Sequence, residues 1–332
     1  MPKVNKSINL IIDVLKEFEE GLTQSEISSI TGLAQSTISE AVKILERRGV
    51  VKKEVRGNVK LVKLAIPALA DHRVLKLGII RACEYPFIAP LAKRLKRRSL
   101  KLDVAVYENG LTATLDLVLN KINFALTPFI TQLLYYTLVE NIAIVGGGAG
   151  GGAFILENPR GREAYGSTKA SSMEFCISMY EPAKNLENVK YFKSGEEALK
   201  SILNNEVKYV ALWEPYASKG VRAGLKLVAN GLDLGLKYCC TLAMNLSLDD
   251  KLAKTVLEEY GKAFKDFEKD PNTWLSWYSI KTGISVEELK TSINSYIYNP
   301  VIDTTELKQL VKNSNLHIPS PSTINQAVKH LS

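Results

Sequence analysis

From residue 74 onward, short apolar segments with the pattern of buried strands alternate with segments that have the spacing of helices. The strand-like "VLKLGII" (Val74–Ile80) precedes the helix-like "PFIAPLAKRLKRR", and "LKLDVAVY" precedes "LTATLDLVLNK". A helix between two strands carries the chain back across the sheet, so the two strands run parallel. This alternation predicts an α/β fold with a parallel sheet.

The first 66 residues have a different pattern. Apolar residues at helical spacing predict a helix that ends near Gly21, and Thr23 with Glu26 forms a capping box that begins a short second helix. The turn "TGLA" leads to a third helix, "QSTISEAVKILERRG", and "VVKKEVRGNVKLVKL" predicts two strands around a turn at Gly57 and Asn58. These elements, in this order, predict a winged helix-turn-helix.

The stretch "LTQSEISSITGLAQSTISEAVKILERRGVVKKE" closely resembles the winged regulators of the MarR and TrmB kinds. The resemblance implies that the third helix enters the major groove of DNA. Net charge agrees, because residues 41–63 hold eight Lys/Arg against two Glu in a chain of net charge +8. We expect DNA contacts from Gln35, Ser36, Thr37, Ser39, Lys43, Arg47, Arg48, Lys52 and Arg56. The alternative for each of these residues is a role in solubility alone, or in helix capping for Ser36.

Four segments of the larger region resemble type 2 periplasmic binding proteins. They are "KLGIIRACEYPFIAPLAKRL", "VGGGAGGGAFIL", "YGSTKASS" and "ALWEPYAS", of which "WEPYAS" is the most specific. The nearest branch binds nitrate, sulfonates, taurine or the pyrimidine precursor of thiamine. The resemblance implies two α/β lobes that enclose a ligand. We therefore predict a DNA-binding domain at 1–66, a linker at 67–73 and a sensor domain at 74–332, with lobe I at about 74–150 and 239–332 and lobe II at about 151–238.

Side chains that follow the carboxyl ends of parallel strands are the expected ligand contacts. Together with helix starts and glycines, this rule selects Arg81, Glu84, Tyr85, Thr127, Phe129, Gly148, Ser167, Thr168, Ser171, Trp213, Glu214 and Tyr216. A helix start near Ser171 and the Arg81 guanidinium favour a sulfonate or another small anion. Glu84 and Glu214 favour a cationic or hydrogen-bond-donating ligand, such as an aminopyrimidine. Both remain open, as does the alternative that Trp213 packs in the core and Glu214 pairs with a nearby Lys or Arg.

The segment "IVGGGAGGGAF" satisfies the dinucleotide-binding spacing at Gly146, Gly148 and Gly151. A dinucleotide site requires a helix after the glycines, whereas "AFILENP" follows with the pattern of a strand. We therefore expect the glycines where the chain passes from one lobe to the other. There they would let the backbone approach a ligand and rotate as a hinge.

The leading interpretation is a cytoplasmic, homodimeric transcriptional regulator that senses a small molecule and binds DNA, without a cofactor or metal. The N-terminus lacks the pattern of a signal peptide, and the four cysteines lack metal-site spacing, so we expect buried thiols in a reducing compartment. The alternative is an enzyme of the thiamine-pyrimidine or a related pathway on the same fold. The cysteine-rich motif of those enzymes is absent, as is a G-x-S-x-G nucleophile motif.

Overall fold

The computed structural model describes residues 2–18, 20–47, 50–56, 59–65, 73–180, 188–313 and 321–329. The chain divides into two compact units, Met1–His72 and Arg73–Ser332. Residues 67–72 of the predicted linker lie outside the described residues.

The described part of the first unit consists of helices and an antiparallel hairpin. The helices are α1 (Pro2–Glu17), α2 (Gln24–Thr31) and α3 (Gln35–Arg47), and the strands are β1 (Val51–Arg56) and β2 (Val59–Leu64). The predicted capping box starts α2: the Glu26 amide donates to Thr23 Oγ1 at 3.2 Å, and the Thr23 amide donates to the Glu26 carboxylate at 2.7 Å. The predicted hairpin turn at residues 57–58 lies outside the described residues.

One apolar face of each helix forms the core of the first unit. Its buried residues include Ile11, Leu15, Phe18, Ile27, Ile38, Val42, Leu45 and Val62. Main-chain hydrogen bonds between Leu22 and Val62, of 2.9 and 2.7 Å, attach the chain before α2 to the hairpin. Because α3 buries Ile38, Ala41, Val42 and Leu45, its opposite face is left to solvent.

The second unit contains two sheets, each belonging to one lobe. Lobe I has six strands in the order β13-β6-β12-β5-β3-β4, and lobe II has five in the order β11-β7-β10-β8-β9. The lobe I strands are β3 (Arg73–Ile80), β4 (Leu100–Tyr107), β5 (Phe124–Pro128), β6 (Ile142–Gly151), β12 (Cys240–Asn245) and β13 (Tyr296–Asn299). The lobe II strands are β7 (Ala153–Glu157), β8 (Tyr165–Ser167), β9 (Val189–Tyr191), β10 (Tyr209–Trp213) and β11 (Lys226–Asn230).

Helices connect these strands and cover the sheets. They are α4 (Ile88–Arg97), α5 (Gly110–Val118), α6 (Phe129–Val139), α7 (Ser172–Met179), α8 (Gly195–Leu203), α9 (Tyr216–Arg222), α10 (Asp250–Lys269), α11 (Asn272–Thr282), α12 (Val286–Ser292), α13 (Thr304–Asn313) and α14 (Pro321–Ala327). The α/β class with a winged N-terminal domain is thus confirmed.

The prediction of a parallel sheet is correct only in part. Strand β3 pairs in parallel with β4 and β5, and β8 with β9 and β10. In contrast, β12 runs antiparallel to both β5 and β6, and β7 runs antiparallel to β10 and β11. The reason is that β6 leads directly into β7 of the other sheet, and β12 enters lobe I from lobe II, so neither connection is a crossover helix within one sheet.

The glycine segment lies mostly inside the lobe I sheet. Gly146–Gly151 belong to β6, where Gly148 pairs with Thr241 of β12 and Asn299 of β13. A Cβ atom on Gly148 would collide with the Cys240 carbonyl oxygen. These residues are therefore small because neighbouring strands approach closely. Only Gly151 and Gly152, with φ of +75° and +64°, lie where the chain leaves one sheet for the other.

Candidate functional site

The exposed face of α3 and the hairpin form the candidate DNA surface. Gln35, Ser36, Lys43, Arg47, Lys52 and Arg56 are exposed, and Thr37 and Ser39 are half-buried; Arg48 lies outside the described residues. Gln35 Nε2 donates to Ser25 Oγ at 3.0 Å, and Arg56 Nε lies 2.8 Å from Glu54 Oε1. Hydrogen bonds from Lys63 and, to a smaller extent, from Arg56 lower the pKa of the Glu54 carboxyl group to about 2. The Arg56 side chain remains 56% exposed in this pair, so its guanidinium can still reach a phosphate.

In the second unit, the two lobes enclose a cleft of about 420 Å³, open mouth included. Lobe I and the chain entering it contribute Ile80, Ala82, Glu84, Tyr85, Asn109, Gly110, Pro128, Cys239 and Cys240, and lobe II contributes Thr168, Lys169, Ser171, Ser172, Met173 and Trp213. Most of these residues follow strand ends, as expected for open α/β sheets. The walls of the cleft are largely apolar, as in small-molecule sites.

Hydrogen bonds join the lobes around the cleft. Trp213 Nε1 donates to the Arg81 carbonyl oxygen at 3.0 Å, and Asn109 Nδ2 donates to the Lys193 carbonyl oxygen at 3.0 Å. Ser172 Oγ of α7 donates to the Cys239 carbonyl oxygen at 2.9 Å. The lobes are therefore in a closed arrangement.

A carboxylate and two thiols meet at the base of the cleft. Glu84 is 3% exposed, and its Oε2 lies 3.4 Å from Cys240 Sγ and 3.9 Å from Cys239 Sγ. Its other oxygen, Oε1, has no hydrogen-bond partner among the described residues. Burial raises the pKa of Glu84 to about 7, because the charged form loses its water. Tyr85 Oη donates to Cys240 Sγ at 3.0 Å.

On the opposite side of the cleft, small hydroxyl groups surround the start of α7. Ser171 caps the helix by accepting from the amides of Met173 and Glu174 at 3.2 and 3.4 Å. Its hydroxyl also lies 2.8 Å from Thr168 Oγ1. Lys169 also lines the cleft and brings a positive charge to this end, with its Nζ 5.9 Å from the centre of the Tyr191 ring.

Five of the twelve predicted ligand residues line the cleft: Glu84, Tyr85, Thr168, Ser171 and Trp213. The other seven lie outside its lining: Arg81, Thr127, Phe129, Gly148, Ser167, Glu214 and Tyr216. Three of the seven lie outside the lining because they are packed elsewhere: Phe129 and Ser167 are buried at the ends of their elements, and Gly148 lies within β6.

The side chains of the remaining four residues, which lie outside the cleft lining, make hydrogen bonds or ring contacts. The Arg81 guanidinium is 3.0 Å from Glu108 Oε1 and also donates to the Thr282 carbonyl oxygen. Thr127 Oγ1 lies 2.9 Å from Thr114 Oγ1 in the core. Glu214 accepts from the Ser218 amide and hydroxyl at 3.1 and 2.8 Å, and no Lys or Arg of the described ranges pairs with it. The ring of Tyr216 packs edge-on against Trp213, which itself lines the cleft.

Sequence reasoning missed Asn109, Lys169, Ser172, Cys239 and Cys240. The strand-end rule could have found Asn109, which follows β4, and Lys169, which lies between two selected residues. The cysteines precede or begin a strand rather than following one, so this rule passes over them.

Residues 10–59 match the MarR family. The chain carries a MarR-family domain. This confirms the first resemblance, and the match spans α2, the turn, α3 and β1 of the winged unit. No curated protein sequence matches the chain. Within the described residues, no helix combines the length and apolar character needed to cross a membrane.

The region outside the MarR-family domain is similar to solute-binding proteins of known structure. The ligand-binding component of an ABC-type import system from Staphylococcus aureus, solved with zinc bound, has 17% identity and a TM-score of 0.67, covering 78% of this chain and 97% of that one. The alkanesulfonate-binding protein SsuA from Xanthomonas axonopodis pv. citri, bound to MOPS, has 16% identity and a TM-score of 0.64 over 79% and 99%. The nitrate-binding protein NrtA from Synechocystis PCC 6803 has 12% identity and a TM-score of 0.64 over 78% and 86%. The periplasmic-binding-protein fold is thereby confirmed.

Proposed function

We propose that this protein is a cytoplasmic, ligand-responsive transcriptional regulator that binds double-stranded DNA as a homodimer. One observation carries the proposal: a MarR-family domain is joined in one chain to a two-lobed solute-binding fold that encloses a cleft. The first part supplies affinity for DNA, and the second supplies a ligand-dependent equilibrium between lobe arrangements. Homodimerisation would match two winged domains to a near-palindromic operator.

On this proposal, α3 reads the major groove through Gln35, Ser36, Thr37 and Ser39. A Gln side chain can make two hydrogen bonds to adenine, and hydroxyl groups can bond to several base edges. Lys43, Arg47, Arg48, Lys52 and Arg56 would bind phosphates, which adds affinity and salt dependence but little sequence information.

Two features of the cleft indicate which chemical groups an effector could carry. Lys169 and the start of α7 would suit a sulfonate or another small anion. The unpaired Oε1 of Glu84 would suit a ligand that donates a hydrogen bond, such as an aminopyrimidine. Ile80, Met173 and Trp213 would provide apolar walls for the body of either ligand.

The DNA-binding part is tested by neutralising Lys43, Arg47 and Arg56 together to Ala. Binding is measured by fluorescence anisotropy, across a salt series, on a labelled duplex selected from genomic fragments by the wild-type protein. Loss of three phosphate contacts should reduce the slope of log K against log salt by about 2–3. The control neutralises Lys121, Lys200 and Lys226, which are exposed in the second unit. An unchanged slope in the first variant would refute the proposed surface.

The sensing part is tested by thermal shift with nitrate, sulfonates, thiamine precursors and aromatic acids. A ligand present at 100 times its Kd should stabilise the second unit by about 2.7 kcal/mol. The same ligand should alter DNA affinity without being consumed. Conversion of the ligand to a product would favour the enzymatic alternative instead.

A further inference from the structure

The base of the cleft holds two thiols that the proposed function does not use, and they lie beside Glu84. Cys239, Cys240 and Glu84 bring two sulfur atoms and a carboxylate oxygen within 4.8 Å of one another. All three side chains are buried, and all three line the cleft. From this geometry we infer that Glu84, Cys239 and Cys240 bind a thiophilic divalent metal ion, for which Zn²⁺ is the probe, with a coordination position open to the cleft.

The distances between the three atoms agree with one face of a tetrahedron. With Zn–S bonds of about 2.3 Å and Zn–O bonds of about 2.1 Å, a tetrahedral site has edges of about 3.8 Å between sulfurs and about 3.6 Å between sulfur and oxygen. Here the two Sγ atoms are 3.9 Å apart, and Glu84 Oε2 lies 3.9 and 3.4 Å from them. Little movement is therefore needed to admit an ion.

The local backbone explains how two adjacent cysteines can share one ion. Successive side chains in a strand point to opposite faces of its sheet. Cys240 is the first residue of β12, whereas Cys239 lies in the bend before it, so both thiols reach the same carboxylate. The Cys239 amide donates to the Ala149 carbonyl oxygen at 2.9 Å, and its carbonyl oxygen accepts from the Phe129 amide at 3.1 Å. These bonds hold the residue in place before an ion arrives.

The surroundings favour a metal over a purely organic ligand at this point. An amine or aminopyrimidine would use the free oxygen of Glu84 but would leave the two sulfurs without a role. Two thiolates and a carboxylate around a divalent ion carry a net charge of −1, and the Tyr85 hydroxyl already donates to Cys240 Sγ, where that charge would lie. A carboxylate ligand also favours a divalent ion over Cu(I), which prefers sulfur alone.

The first experiment uses the full-length wild-type protein, reduced with a phosphine and freed of metal by a chelator. Co²⁺ is titrated in and the absorption spectrum is recorded, because Co²⁺ replaces Zn²⁺ and reports its ligands. We expect intense thiolate-to-cobalt charge-transfer bands with tetrahedral d–d bands that saturate at one equivalent and disappear on addition of Zn²⁺. A weak octahedral spectrum without charge transfer would overturn the inference.

Variants then identify the ligands. Cys239→Ala, Cys240→Ala and Glu84→Gln should each weaken Zn²⁺ binding by on the order of 100-fold, and Tyr85→Phe by about 10-fold, in competition with a chromogenic chelator. Cys83→Ala removes another buried cysteine and should bind Zn²⁺ as the wild type does. Unchanged Zn²⁺ affinity in the Cys239→Ala, Cys240→Ala double variant would overturn the inference. If a variant does not fold, the cobalt spectrum of the wild type still decides.

The inference rests on the proposed function only for its regulatory consequence. If the cleft is the sensing site, Zn²⁺ should change the affinity for the selected DNA duplex in the wild type and not in Cys240→Ala. DNA binding and metal binding are measured separately, so failure to bind DNA would refute the regulator and leave the cobalt result standing. Failure of the cobalt titration would refute the metal site and leave the DNA result standing.

Discussion

Glu84 should make the stability of the second unit fall as pH rises from 5 to 8, provided that the cleft holds no ion. Its pKa is about 7 in the folded protein, against an ordinary value of 4.5, because it is buried without a partner for Oε1. A carboxyl group with a raised pKa binds its proton more strongly when folded than when unfolded. Its contribution to stability is therefore fully present below pH 4.5 and is lost as pH rises through 7.

The magnitude follows from the two pKa values. A difference of one pKa unit is worth about 1.4 kcal/mol, so Glu84 should cost the folded state about 2–3 kcal/mol between pH 5 and pH 8. Glu84→Gln removes the ionisation at nearly constant shape. The variant should therefore lose less stability than the wild type over this range, by the same 2–3 kcal/mol.

Urea unfolding followed by tryptophan fluorescence measures this difference. Trp213, Trp274 and Trp277 all lie in the second unit, so the signal does not report the winged domain. A chelator and a reductant keep the thiols free. The reasoning would be refuted if wild type and Glu84→Gln changed in parallel from pH 5 to pH 8, because the pH dependence would then arise from other groups.

Three further predictions concern two glycines and one buried carboxylate. Gly261 lies within α10 with open space where a Cβ atom would be, so Gly261→Ala should stabilise the second unit by about 1 kcal/mol in urea unfolding. A Cβ atom at Gly150 would collide with the Lys237 carbonyl oxygen, so Gly150→Ala should destabilise this unit by about 1–3 kcal/mol. The Glu259 side chain is 5% exposed and lies 3.1, 2.9 and 3.3 Å from Arg94, Arg98 and Lys262, so Glu259→Gln should lower stability at neutral pH by about 1–2 kcal/mol. Equal stability of variant and wild type would contradict a stabilising role for these ion pairs.

The winged domain and the α/β class could be predicted because their signals are local. The capping box of α2 and the buried face of α3 each depend on residues a few positions apart. The antiparallel strands were not predicted, because the pairing of β12 with β5 and β6 joins residues about a hundred positions apart. These strands are not joined by a short turn, so no local sequence pattern predicts their pairing.

In the candidate site too, the local sequence predicts which residues follow a strand, whereas contacts between distant residues determine where their side chains lie. The strand-end rule selected Arg81 as a ligand contact, but the guanidinium binds Glu108 and the Thr282 carbonyl oxygen, and the residue lies outside the cleft lining. Likewise, the cysteines lack the short spacing of a metal motif, because Glu84 stands 155 residues before Cys239. Such a group can be recognised only when the folded chain brings its members together.

The position of β12 between β5 and β6 also determines the order in which the two lobes can fold during synthesis. When β6 leaves the ribosome, β5 has an unpaired edge, and the strands that pair with β6, namely β12 and β13, have not yet been made. Lobe II, whose strands run without interruption from 153 to 230, can complete its sheet first. Lobe I therefore stays unfinished until β12 and then β13 are made, about 90 and about 145 residues after the end of β6, and its strand edges are unpaired during this interval.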